Sequence, residues 1–188
     1  MSWEITGNSG TDPAINFLGT TDSQPLVIRA GGMEAMRIDS TGIEVAGDIR
    51  LTNADCAEDF NIGGDKTVEP GTVMVVGEQG ALFPSRRAHD KRVAGIVSGA
   101  GDYKPAIVFD KQSPGSNRQP IALLGKVYCK VDASYAPIEV GDLLTTSDTA
   151  GHAMKASDPL KAFGSVMGKA LRGLKNGKGL IPVLIALQ

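Results

Sequence analysis

Aromatic side chains are scarce in this sequence: one Trp, three Tyr and five Phe among 188 residues. Few rings beside 24 glycines suit many short strands joined by tight turns, or a repetitive shaft. Histidine is scarcer still, with His89 and His152 alone, both in loop-like contexts. Strong charge of either sign is missing, since the formal net charge is -2. That leaves no basic surface for nucleic acid and no acidic tail for a cationic partner. No apolar run approaches the length of a membrane span, so membrane insertion is not expected. The N-terminus shows no basic segment followed by an apolar run, so no secretory signal is expected. Synthesis in the cytoplasm follows, with exit by lysis or a dedicated route.

Cysteine is limited to Cys56 and Cys129. A disulfide or half of a metal site is one reading; two buried small residues is the plainer one. Two thiols and two histidines make a poor zinc site, and neither metal nor cofactor is expected. The acidic group Asp55, Glu58 and Asp59 lacks the spacing of a calcium loop and reads as a solvated junction.

What is present is a repeat. Val68-Glu69-Pro70-Gly71-Thr72, followed by the run Val73 to Val76, is echoed by Ile138-Glu139-Val140-Gly141-Asp142 and Leu143 to Thr146. Gly80-Ala81-Leu82-Phe83 is answered by Gly151-His152-Ala153-Met154, and Val93-Ala94-Gly95-Ile96-Val97 by Val166-Met167-Gly168-Lys169-Ala170. A period of about 70 residues is too long for a solenoid and suits two halves of one β-domain. Core strands are expected at 93–97 and 106–109, and further strands at 120–124, 126–131 and 181–187, the last with Pro182 near its start. Asp158-Pro159 opens like a helix, but Gly164, Gly168 and Gly173 and the internal echo favour a strand over 165–171. The fold expected is all-β. An N-terminal β-segment, 1–54, precedes an internally duplicated barrel-like or sandwich head, 55–188.

Residues 1–54 hold short apolar runs at 14–19, 25–30, 34–39, 43–45 and 48–51, divided by Gly31-Gly32 and Ser40-Thr41-Gly42. About fifty residues in strands of roughly four to six, about half of them polar, cannot close a good core alone. Packing against the rest of the chain, or intertwining with identical chains about an axis, would remedy this.

Asn16 to Arg29, followed by Glu34 to Gly42, resembles the shaft repeats of phage tail fibres and related trimeric β-fibre proteins, over about a quarter of the chain. The turn plan of the C-terminal part is similar to β-domains at the ends of phage-type fibres and in phage decoration proteins. The resemblance implies an intertwined homotrimer with parallel chains, contacts with other tail or particle proteins, and a place in a virion or extracellular particle. Many such proteins carry a self-cleaving C-terminal chaperone, and nothing like it is expected up to Gln188. The role implied is structural and adhesive: a short fibre or spike presenting loops to the host surface. The alternative is an architectural subunit without a receptor site.

Two loops are candidates for contact with a cell-surface glycan or protein. Ser85 to Arg92 is the most charged stretch, with Arg86, Arg87, His89, Lys91 and Arg92. A phosphate or a polysaccharide acid suits it; an exposed loop or subunit contact is the plainer reading. Lys111 to Gln119, with Gln112, Asn117 and Arg118, has turn chemistry throughout. Tyr135 sits in a third turn, Ser134 to Pro137. Enzymatic signals are thin. No nucleophile elbow, phosphate loop or metal-ligand cluster occurs, and His89-Asp90 lacks a nucleophile partner. No catalytic residue is assigned.

Overall fold

The structure is a computed structural model and describes residues 4–64, 67–112 and 117–186. It is nearly all β and divides into two compact units, Met1–Arg50 and Leu51–Gln188.

The first unit is a three-stranded antiparallel sheet. β1 (Leu26–Ala30) pairs with β2 (Met33–Asp39), which pairs with β3 (Gly42–Val45). Gly31 and Gly32 make the first turn, both with positive φ (58° and 79°), as a two-residue hairpin of matching twist demands. The run 14–19 is not a strand. Asp12 and Asn16 close it as a turn: Asn16 Oδ1 accepts the Asp12 N–H, and Asp12 O accepts the N–H groups of Ile15 and Asn16. Residues 48–51 form no strand either.

The second unit is a duplicated barrel. Its strands are β4 (Asp55–Asn61), β5 (Val73–Val76), β6 (Leu82–Pro84), β7 (Val93–Val97), β8 (Pro105–Phe109), β9 (Arg118–Asp132), β10 (Leu143–Thr146), β11 (Ala153–Lys155), β12 (Val166–Ala170) and β13 (Lys178–Ala186). The first barrel runs β6-β5-β7-β9-β4, and a parallel bridge from Ile62, just past β4, to Leu82 of β6 closes it. The second runs β11-β10-β12-β13-β9, closed by a parallel pairing of Val131 in β9 with Ala153 in β11. The 15-residue β9 serves both, its first half in one barrel and its second half in the other. Gly125 does not interrupt this strand. Its φ is 104°, and a Cβ there would lie 2.7 Å from Ala54 O, so the strand changes barrels at a residue only glycine fits.

The correspondence between barrels is residue by residue. The Gly71 N–H donates to Val97 O and the Gly141 N–H to Ala170 O, both at 2.8 Å. Register slips between Met74 and Val75 and between Leu144 and Thr145, at matching places opposite β7 and β12. Ile62, Met74, Leu82, Val97 and Ile121 fill the first barrel, while Val131, Leu144, Ala153, Ala170 and Val183 hold the equivalent places in the second. Burial of these side chains, each worth about 1.5–3 kcal/mol for the larger ones, gives every barrel its own core.

Other expectations need correction. β8 is not a core strand: among the described residues it pairs with β4 alone, in parallel, and leaves Ile107 and Phe109 exposed. Pro182 lies mid-strand, opposite Tyr128; its carbonyl accepts the Leu171 N–H past the end of β12, where no ladder donor is needed. Asp55 is not solvated but buried, accepting a 2.8 Å bond from Ser98 Oγ. Between β11 and β12 lies one helical turn, α1 (Pro159–Ala162), capped by Asp158, whose carboxylate accepts the Leu160 and Lys161 N–H groups. The expected strand follows it.

Cys129 is fully buried, and burial pushes its thiol pKa up to about 12. Cys56 is half-buried, and both thiols are free. Among the described residues no helix is long and apolar enough to cross a membrane, and no cluster of three metal-ligating side chains occurs.

Candidate functional site

The connection from β6 to β7 carries the strongest concentration of cations, and bonds to the second barrel hold it in place. The Ala88 N–H donates to Asp148 Oδ1 (2.9 Å) and the His89 N–H to Thr146 O (3.1 Å). The Asp90 N–H donates to Thr146 Oγ1 (2.7 Å), and Ser85 O accepts the Gly151 N–H (2.8 Å). His89 has φ 54°, a conformation non-glycine residues seldom adopt, and its Nδ1 is buried without a partner among the described residues.

Arg86, Arg87 and Arg92 line one cleft of about 370 Å³, together with Phe83 and Asp90. Asp90 is buried and receives both Nε (3.0 Å) and Nη2 (2.7 Å) of Arg92. Those bonds, with added pull from Arg87, hold its carboxyl below the usual range despite burial. Arg92 is thereby committed to Asp90. Arg86 and Arg87 are exposed, with no hydrogen bond or salt bridge of their own among the described residues. Lys91 is exposed at the loop's end.

The second predicted loop is differently placed. Residues 113–116 lie outside the described residues. Gln112 is exposed and donates to Asp110 Oδ1 (2.7 Å). Asn117 donates to Ile62 O (2.6 Å) and Gly64 O (2.9 Å), tying β9 to the end of β4. Arg118 lies in β9, largely covered, and bonds to Asp59 O and the Asp110 carboxylate. These two side chains are fixed by internal partners. Tyr135 is exposed, its hydroxyl 3.2 Å from Thr149 Oγ1. It meets the same β10–β11 turn that anchors the basic loop through Asp148.

Phe83 was not singled out by sequence reasoning, although it stands two residues before Ser85-Arg86-Arg87. Its ring lies against the backbones of Gly63 and Gly77, where a Cβ would come within 2.1 and 2.5 Å of it. Neither glycine has a positive φ, so the ring is what demands them.

No family model matches the chain, and no curated protein matches it. Among solved structures, its fold is similar to that of pre-mature bacteriophage phi29 gene product 12, with a TM-score of 0.55 and 13% identity. The match covers 81% of this chain and 24% of that one, so the chain spans about a quarter of the length of that protein. The likeness is one of fold.

Proposed function

We propose that the chain is a structural and adhesive component of a phage tail or phage-tail-derived particle, a short homotrimeric fibre or spike. The N-terminal unit forms the stalk or attachment segment. The double barrel forms the head, and it presents the basic loop to the host surface. No enzymatic role is assigned.

One observation carries this reading: not one residue from Glu4 to Arg50 is buried. Phe17, Leu18, Met33, Ile43 and Ile49 are each more than half exposed. Full burial of such side chains is worth about 1.5–3 kcal/mol apiece, which favours covering them with sister chains. The fold shared with a bacteriophage gene product supports the particle context.

A purely architectural subunit is the second reading. It is favoured by Asn117 and Arg118, which serve internal bonds and offer nothing to a receptor. A cell-binding assay separates the two. Fluorescently labelled full-length protein is incubated with a panel of bacterial cells. Retention that charge reversal at Arg86 and Arg87 abolishes supports the adhesive reading. Retention by no strain, with incorporation into particles, supports the architectural one.

A further inference from the structure

The two barrels differ in the connection from β6 to β7 and its counterpart from β11 to β12. Five core positions correspond between the copies, and this connection is one place where they diverge. In the second barrel this connection holds α1, with Leu160 and Phe163 exposed. In the first it holds Arg86, Arg87 and Arg92 in the cleft, with Lys91 exposed beside them in sequence. The same scaffold position is apolar in one copy and cationic in the other.

The cleft offers two kinds of surface. Val75, Val76, Phe83 and Pro84 give it an apolar side. Phe83 is 43% exposed and fixed against Gly63 and Gly77. The cleft also carries Arg86 and Arg87, whose guanidinium groups have no bonded partner among the described residues. Asp90 neutralises Arg92, and Glu78 also faces it, so neither carboxylate occupies the other two arginines by hydrogen bonding. The loop is anchored by four bonds to the second barrel, so its backbone needs little ordering on binding.

We propose that this cleft is a subsite for a carboxylate-bearing pyranose, a uronate or sialate unit of a surface glycan, with its C–H face on Phe83 and its carboxylate between Arg86 and Arg87. A planar guanidinium matches a carboxylate through paired N–H donors. An exposed ring covers the apolar face of a sugar. Inorganic phosphate would use the arginines and leave the apolar side idle. A neutral sugar would leave the arginines idle. The inference rests on the host-surface reading above and names the class of ligand.

Calorimetric titration of the full-length protein at low salt tests it, with trigalacturonate, 3′-sialyllactose, neutral maltotriose and inorganic phosphate as probes. Saturable binding of either carboxylated probe is expected, and the probe that binds identifies the source of the acid sugar. Arg86→Gln with Arg87→Gln weakens it at least about tenfold, and so does Phe83→Leu. Maltotriose and phosphate do not bind comparably. The proposal is overturned if neither acid sugar binds, or if binding survives the double arginine change. It is also overturned if phosphate binds as tightly while a folded Phe83→Leu protein is unaffected. Should Phe83→Leu fail to fold, the exposed arginine pair still decides. Native mass recorded on the same samples separates the two readings. A trimer without sugar binding loses only this site; a monomer that binds sugar loses only the fibre.

Discussion

Gly95 and Gly168 stand at the same point of the two barrels, each pressed against the backbone of the neighbouring strand. A Cβ on Gly95 would lie 2.6 Å from Ala122 O, and one on Gly168 would lie 2.2 Å from Leu184 O. Each sits opposite the residue where register slips, Met74 in one case and Leu144 in the other. The bulge and the close approach recur together, because a small barrel turns its corner by letting one strand fall onto the next.

Replacing either glycine by alanine should therefore destabilise the head. The obstructing atoms are all backbone at Gly168, and a backbone carbonyl with the Ile121 Cγ2 methyl at Gly95. A cost of about 2–4 kcal/mol is expected, larger for Gly168→Ala than for Gly95→Ala. Urea denaturation followed by circular dichroism measures it. Equal stability to the parent would refute the proposed corner geometry.

Asp55 gives a pH prediction with a definite sign. Burial raises its carboxyl pKa, and the Ser98 bond offsets this only in part. The folded state then holds this proton more tightly than the unfolded one. Its contribution favours folding below the ordinary Asp pKa and is lost as pH rises through the raised value. Asp55→Asn should remove that dependence, so the variant gains on the parent between acid and neutral pH. Thermal melts at several pH values check this, and a variant whose stability relative to the parent rises on acidification would contradict it.

The two thiols should behave differently. Cys129 is buried with its pKa pushed up to about 12, so little thiolate is available. A Cys56→Ser protein should resist a thiol-disulfide reagent until denaturant is added. Rapid labelling of the native variant would show that the second barrel opens.

Asn117 is expected to matter for stability. Its amide supplies two donors to the end of β4. Asn117→Ala should cost about 0.5–1.5 kcal/mol, the net worth of such bonds where water can reach the freed carbonyls. Chemical denaturation gives the value, and a neutral result would free Asn117 for a surface role.

These cases show what was legible in the chain. The duplication could be read because bulges and tight turns demand glycine, so Gly71 and Gly141, or Gly95 and Gly168, recur even where their neighbours change. Gly125 misled for the same reason: a positive φ inside one long strand looks like a break between two. β8 looked like core because a short apolar run does not say which face is covered. In the site, the arginines announced themselves by charge. Their apolar counterpart did not, because Phe83 depends on Gly63 and Gly77 from separate segments. Asn117 looked free for a similar reason, since its partners lie 53 and 55 residues away.

The claim that most needs testing is that the front unit is completed by sister chains. Sedimentation equilibrium of the full-length protein tests it most directly. Three chains of 19.6 kDa each in one particle, persisting in mild denaturant, is the predicted result. A single chain at every concentration, with Met1–Arg50 folded and its apolar side chains still open to water, would contradict it.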